Sequence, residues 1–574
     1  MKISTFILAS LLLVTPCIAD IIVVKDDGFG DYPTIQAAID AASTWDIIEV
    51  QPGTYIGDGN RDIDFKGKSI TVRSIDPNNP DIVATTIIDC NGTESTPHRG
   101  FHFYHNENAN SILAGLTITN GYAVNSGGAI RCYEASPTIT HCDIIGNMTG
   151  SLADGGGGIY CWCSGSMIIN CKFINNVAKG ECYNGACGNG GGVCGNIAPP
   201  HPTINNCVFI GNSAYRGGAM RHCNGPINNC IIIDNVATYG GGIHHSHGPI
   251  TNCFISGNSG VMAGGLDACQ GPISNCIISG NSATDRAGGL GWCHNTITNC
   301  IIAGNSAGGL RGGGIYDSSA TVRNCVIFGN SAGESGGGIC FQYDYHMTMT
   351  NCIIWNNEAP LGAQIALAPH MLDYTPEISL SYCDVEGGEL AVYDYNGFSL
   401  NWGIGNIDKD PCFVNPGYWD PNGTPGDPDD DFWVEGDYHL KSEGWQWSIE
   451  RQVWKWSDVT SRCIDAGNPG TLLGEELLSV PDDPNNEWGE NLRINMGVYG
   501  NTVEASIPPY DWALLSDITN DGIVDFVDFT HQADMYTDED NELPGDLDRN
   551  GVVNFLDIGL LVEDWLKQTS WAQP

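Results

Sequence analysis

Residues 228–250 read "NNCIIIDNVATYGGGIHHSHGPI", and the chain then restarts the same phrase as "TNCFISGNSGVMAGGLDACQGPI". In each copy a cysteine opens a short apolar run, a polar pair ending in Asn follows, and a second apolar position comes after Gly-Gly. The cysteine recurs after Asn or His at Cys142, Cys171, Cys207, Cys230, Cys253, Cys276, Cys300, Cys325 and Cys352, in steps of 23 to 36 residues. Gly-Gly-aliphatic recurs at Gly241-Gly242-Ile243, Gly264-Gly265-Leu266, Gly288-Gly289-Leu290, Gly313-Gly314-Ile315 and Gly337-Gly338-Ile339. A period of this length marks one supersecondary unit that buries its apolar face only by stacking on its neighbours.

Helical units are excluded, because interior glycine costs about 1 kcal/mol per helix position and β-branched residues dominate the apolar runs. Leucine-rich repeats would need leucines at fixed offsets, which are missing. What remains is the coil of a parallel β-helix, with short strands such as "CIIIDN" and "GGIHH" joined by Gly/Asn turns that tolerate positive φ. Equivalent residues of successive coils then stack about 4.8 Å apart in ladders. Aliphatic side chains fill the interior, and the repeated cysteines form one buried file as small hydrophobes.

At residues 31–55, "DYPTIQAAIDAASTWDIIEVQPGTY" places Ile35, Ala38, Ile39 and Ala42 at helical spacing behind Thr34 as N-cap. A helix there covers the open end of the solenoid, whose unpaired edge otherwise invites aggregation. Gly30, Asp31, Thr34 to Asp40 and Pro52 to Tyr55 resemble the opening of the pectin-lyase-like superfamily of right-handed parallel β-helix proteins. The resemblance covers roughly residues 21–385 and implies the fold, not an activity. The expected fold class is therefore all-β: a right-handed parallel β-helix solenoid with an N-terminal capping helix over 20–385, and last coils with a C-terminal cap over 386–505.

"SIPPYDW", residues 506–512, reads as the start of a short stiff linker, 506–515. Beyond it stand "DITNDGIVDFVD" and "DLDRNGVVNFLD". Each puts oxygen-bearing residues at positions 1, 3, 5, 9 and 12 of a twelve-residue loop, a backbone carbonyl at 7 and glycine at 6, the spacing that wraps oxygens around one calcium ion. The ligand sets are Asp517, Thr519, Asp521, Ile523, Asp525 and Asp528, and Asp546, Asp548, Asn550, Val552, Asn554 and Asp557. Ile558, Leu561, Val562, Trp565 and Leu566 follow at helical spacing. The paired loops resemble a type I dockerin, which implies a small α-helical module over 516–567 that holds two Ca²⁺ and engages a cohesin-like protein on a scaffold or cell surface. Positions 10 and 11, polar in many dockerins, are Phe526-Val527 and Phe555-Leu556 here, so the choice of cohesin does not carry over.

Composition narrows the partners. Over 574 residues, 67 Asp+Glu against 23 Lys+Arg give a formal charge of −44, which repels nucleic acid and anionic lipid and favours divalent cations. Lys2, the apolar run "FILASLLLV" and "CIA" ending at Ala19 read as an export signal over 1–19, so the protein is expected to be secreted or displayed at the cell surface. No later segment has the length of apolar chain that a membrane span needs. Without Cys17, the 24 cysteines leave an odd number, so at least one thiol stays unpaired within the chain. Parallel in-register neighbours sit wider apart than a disulfide prefers, so the file is expected to be mainly reduced, with any bridges in irregular stretches, such as Cys182–Cys187 or Cys412–Cys463.

Aligning coils on Gly-Gly-aliphatic puts Arg221, His244 and Asp267 at one position of consecutive coils, on an outward face. Stacked there, they form a candidate acid/base site, a sugar-binding strip or a solvated polar ladder. His222, His245, Trp292 and Asp317 fall one residue later, where strand alternation turns them the other way. The triple His244, His245 and His247 lacks the converging ligand that a metal site needs. None of the glycosidase or pectinesterase motif sets of that superfamily is present, and cations are scarce for gripping a polyuronate. Two classes remain: a protein that binds or cleaves polysaccharide, as a lyase or glycoside hydrolase if an enzyme, and a non-catalytic surface or adhesion β-helix.

Overall fold

The computed structural model describes residues 19–150, 154–180, 188–368, 374–395, 400–424, 431–479, 489–540 and 542–572. Residues 1–18 of the expected export signal, with Cys17, and the Cys182–Cys187 pair lie outside them.

Each coil carries four short strands. A typical one runs Ile231–Ile233, Val236–Tyr239, Ile243–His244 and Ile250–Thr251, then begins again at Phe254–Ser256. Every strand pairs in parallel with its equivalents one coil away, giving four sheets. Taken in the order of that coil they are sheet B (thirteen strands), sheet D (nine), sheet C (twelve) and sheet A (fifteen). Two of the four were explicit in the hydrophobic pattern; sheets A and D hide in its polar stretches.

The register Lys172↔Val208↔Ile231↔Phe254↔Ile277↔Ile301↔Val326↔Ile353 sets the preceding cysteines, Cys171 to Cys352, in a single buried file that Cys383 extends. Cys223, Ser246, Cys269, Cys293 and Ser318 form a second buried file two residues beyond the paired positions of sheet C. Among the described residues every cysteine is a free thiol, so the Cys412–Cys463 bridge is not made. Cys463 instead donates through Sγ to Asp384 Oδ2 at 3.0 Å.

The Asn that follows each apolar run is not the turn residue it was expected to be. The left-handed residue is the one before it, from Gly146 (φ 65°) through Gly211, Asp234 and Gly257 to Asn356 (φ 55°). The Asn itself points inward. Asn147, Asn176, Asn212, Asn235, Asn258, Asn281, Asn305, Asn330 and Asn357 are buried, and each Nδ2 donates to the next Oδ1 at 2.9–3.1 Å. The same oxygen takes the backbone N–H of the preceding Asn, as in Asn235 to Asn258 Oδ1 at 3.0 Å, so two orphan donors per corner are satisfied.

At the N-terminal end α1 (Ile35–Ala41) follows Thr34, whose Oγ1 accepts from Ala37 N at 3.2 Å, and buries Ile35, Ala38 and Ile39 against the first strands of sheet A. A second short helix, α2 (Pro80–Thr85), lies beside sheet B. Among the described residues no helix is long and apolar enough to cross a membrane.

The coils do not continue to residue 505. Parallel pairing ends near Leu400–Trp402, and the chain folds back along the outside of sheet B. The cause is the outer face of that sheet, which changes from Thr117, Asp143 and Lys172 to Ile301, Val326 and Ile353 in the later coils. Burying each of those three side chains contributes roughly 1.5–3 kcal/mol, and Phe413, Tyr438, Leu440, Ile464, Met496 and Val498 cover them. A hairpin of Tyr418–Asp420 and Phe432–Val434 leans on the same flank and lays the Trp433 indole over Gly280, Gly304 and Gly329. A Cβ at Gly304 would overlap that ring.

Residues 506–515 are packed rather than spanning. Ser506 and Ile507 are buried, and Ile507 exchanges backbone hydrogen bonds with Trp445. Helices α3 (Phe526–Asp534) and α4 (Phe555–Glu563) follow, with Ile518, Val524, Leu547 and Leu561 as their small core. Of the apolar run 558–566 only Leu561 is fully buried; Val562 and Leu566 are exposed.

Candidate functional site

The register Arg221↔His244↔Asp267 is the one read from the glycine alignment. The environment differs: His244 and Asp267 are 8% and 3% exposed, not on a solvated face. Sheet D arrives at sheet C through a sharp corner at Gly217, Gly240 and Ala263, all at positive φ. The outer side chains of sheet C therefore lie in a concave angle, with Arg216 over the Tyr239 ring at 5.5 Å and Tyr239 beside His244. Arg221 Nε donates to His244 Nδ1 at 3.3 Å, and His244 Nε2 faces Asp267 Oδ2 at 3.4 Å. An Nδ1 that accepts leaves the imidazole proton on Nε2, directed at the carboxylate. Burial, with the Arg221 charge next, brings His244 down to about 2, and burial lifts Asp267 to about 7 against the pull of Arg216. The three form a closed relay with little surface for a substrate.

The second set behaves differently from the alternation rule. His222, His245, Trp292 and Asp317 sit at φ 51°, 58°, 49° and 42°, a left-handed bend that cancels the strand's reversal. His222 and His245 rings stand 4.9 Å apart, with His247 4.9 Å further on. Trp292 meets Tyr316 edge-on at 5.1 Å, and five coils before Trp292 stands Trp162, on which Tyr133 of the preceding coil stacks at 6.3 Å. Along the flank of sheet C, Tyr133, Trp162, His222, His245 and Trp292 are half-buried, His247 is exposed and Tyr316 is buried. Asp317 does not join it: fully buried, its Oδ1 accepts from Gln342 N at 2.6 Å, and it makes no pair with Asp267. The upstream members, Tyr133, Trp162 and the Arg131–His102 pair, escaped the sequence reading because insertions stretch those coils to 29 and 36 residues.

In the C-terminal loops Gly522 and Gly551 adopt φ 93° and 91°, the left-handed turn that position 6 requires. Asp546 accepts from Asn550 N and Gly551 N, and Asp557 from Asp548 N and Asn554 N. These bonds gather oxygens of Asp546, Asp548 and Asp557 within 4.8 Å of one another, a donor set that fits a hard cation. In the first loop Asp517 accepts from Asp521 N and Gly522 N, and Thr519 Oγ1 is spent on Asp528 Oδ1 at 3.0 Å, so that loop gathers fewer free oxygens. Burial, then neighbouring Asp528 and Asp521, pushes Asp517 up to about 7 against the Arg493 charge. Asp64, His105 and Glu107 make another close trio, but Glu107 is committed to the backbone N–H groups of Gly67 and His105.

The loops are anchored to the solenoid. Arg493, fully buried, donates to Gly467 O and to Asp517 O at 2.7 Å. The fourth residue of each loop reaches the same cap: Asn520 Nδ2 donates to Gly405 O and Ala466 O, and Arg549 donates to Pro469 O and Leu492 O. The opposite side of the pair is open, with Phe526, Val527, Phe555 and Leu556 exposed.

A family profile described as a right handed beta helix region matches residues 269–402. The fold is a right-handed parallel β-helix. The crystal structure of pectate lyase Pel9A aligns with 83% of this chain and 96% of its own, at 14% identity and a TM-score of 0.31. No curated protein matches the sequence.

Proposed function

We propose that this is a secreted or surface-displayed, non-catalytic polysaccharide-binding β-helix, attached through a calcium-dependent dockerin-like module. One observation carries the reading: the stacked Arg221–His244–Asp267 set is enclosed at His244 and Asp267, while His222, His245 and Trp292 beside it are partly exposed along the sheet C flank. A catalytic acid must reach the glycosidic oxygen, and Asp267 is 3% exposed, packed beside Gly240 and Gly291. Aromatic faces, by contrast, stack on sugar rings without chemistry.

Two Ca²⁺ would be held by Asp517, Thr519, Asp521, Ile523 O, Asp525 and Asp528, and by Asp546, Asp548, Asn550, Val552 O, Asn554 and Asp557. The ions would neutralise the clustered carboxylates and fix the loops. The exposed Phe526, Val527, Phe555 and Leu556 then face a cohesin-like protein or cell-surface scaffold, an apolar contact where many dockerins present a polar one.

The test is incubation with a panel of plant and algal polysaccharides, with and without Ca²⁺. Retention on immobilised polysaccharide without release of reducing ends or unsaturated products is expected. Product release abolished by Asp267→Asn would overturn the non-catalytic reading and restore Arg221, His244 and Asp267 as a reaction centre.

A further inference from the structure

The hairpin that carries Trp433 overhangs the solenoid and encloses a cleft of about 1050 Å³. Its floor is the left-handed corner file, with Asp234, Gly257, Gly280, Gly329 and Asn356 in the lining. With Gly304, which lies beneath the indole, that file spans six consecutive coils, about 24 Å at about 4.8 Å per step, and the cleft follows it past the Trp433 ring that stands on its middle. The solenoid wall is the first position of sheet D, where Ser282, Ser306 and Ser331 stand on successive rungs and Glu358 continues the line. Ser331 Oγ lies 3.1 Å from Ser306 Oγ, which leaves lone pairs and a hydroxyl proton free toward the cleft. The facing wall is aromatic: Tyr418 and Phe432 are 52% and 49% exposed, and Trp419 meets Trp433 at 5.7 Å. None of these residues belongs to the flank of sheet C.

We propose that this cleft binds an extended, uncharged glycan chain. The two walls match the two aspects of a pyranose, since exposed rings take the apolar C–H face and a periodic row of hydroxyls takes the polar rim. The length suits several linked sugars rather than one, and the rungs repeat the same donor and acceptor along the chain axis. Charge selects against acidic glycans: among the described residues the lining holds Asp234, Glu358 and Asp431 and no Lys, Arg or His, in a protein of formal charge −44. A polyuronate placed there would meet like charge along its whole length without a cation to offset it.

The proposal goes beyond the flank-binding reading by naming a second place and a substrate class, and it shares with that reading only the premise that the chain binds glycan. The experiment is calorimetry on the full chain with cellohexaose, xylohexaose and hexagalacturonate. At least one neutral hexasaccharide binds ten or more times more tightly than hexagalacturonate. Tyr418→Ala removes a platform, and Ser306→Trp fills the cleft from the solenoid side; each weakens that binding at least tenfold while circular dichroism stays unchanged. Tighter binding of hexagalacturonate, or full affinity in both variants, overturns the proposal. If neutral binding survives Tyr418→Ala and Ser306→Trp but is lost in Trp292→Ala, the cleft falls and the flank reading stands. If no hexasaccharide binds the wild-type chain, both fall.

Discussion

Replacing Asn258 by alanine tests the energetic role of the interior asparagine ladder. Its Nδ2 donates to Ile232 O at 2.8 Å and to Asn281 Oδ1 at 2.9 Å, and its Oδ1 accepts from Asn235 N at 3.0 Å and Asn235 Nδ2 at 2.9 Å. All of these groups are buried, so water does not replace the lost side chain. The variant strands the Asn235 N–H and one acceptor at Ile232, while Asn235 Nδ2 keeps Phe209 O and Ile233 O. At roughly 1–3 kcal/mol for each buried group left unsatisfied, with partial relaxation, the expected loss is about 2–4 kcal/mol. Asn252, exposed and at φ 54°, is the control: Asn252→Gly keeps the left-handed turn and changes stability by about 0.5 kcal/mol or less. Guanidinium unfolding followed by circular dichroism and by tryptophan fluorescence reads both. A loss below about 1 kcal/mol for Asn258→Ala would refute the idea that the ladder is energetically closed and assign the corners' stability to the aliphatic ladders alone.

Asp267 is held protonated by burial, with a folded value of about 7 against 3.8, so its contribution is complete below about pH 4 and is lost as pH rises through 7. The stability difference between wild type and Asp267→Asn, measured by denaturation from pH 4 to 8, should fall by about 4 kcal/mol; a flat difference rejects the buried neutral acid. His244 titrates in the opposite sense, its share lost as pH falls below 6.5, but it is present in both proteins. Calorimetric titration of the chelated full chain should show two Ca²⁺ sites, with Asp546→Asn abolishing the tighter and Asp517→Asn the weaker; the reverse order contradicts the oxygen sets described above. Maleimide labelling of the native protein with peptide mapping should mark Cys163 and Cys412, the half-buried thiols among those described, ahead of the file cysteines, and equal labelling of Cys253 and Cys276 would contradict the buried file.

The cysteine file was readable because a sequence period maps directly onto parallel register: each Cys is followed by a residue that pairs with its copy one coil away. The Asn–Asn contact was not, because "GN" is equally good chemistry for a turn, and only the coil's closure decides which of the two residues takes positive φ. The alignment of Arg221, His244 and Asp267 was correct in register and wrong in exposure. Exposure depends on sheet D, whose strands, such as "VATY", lack a strong apolar period. The folding-back of residues 413–512 leaves no periodic trace at all. Its cause is visible only when Ile301, Val326 and Ile353 are seen together on one outer face. The paired loops were the reverse case, with local spacing fixing Gly522 and Gly551, while Asn520 and Arg549 acquire partners only from the folded cap.

The partner of each interior asparagine is another copy of itself, so the corner contains nothing specific to one coil. Removing residues 231–253 would bring Asn212 against Asn258 and Cys230 against Cys276, with the corner hydrogen bonds remade by identical asparagines and Cys269 taking the place of Ser246 in the second file. The steps Cys207 to Cys230 to Cys253 to Cys276 are each 23 residues, so recombination between these copies excises or duplicates a whole coil without a misfit. A gene for such a chain lengthens and shortens in quanta of one coil at the middle of the solenoid, while the irregular coils near residues 150 and 180 and the folded-back flank stay fixed in length.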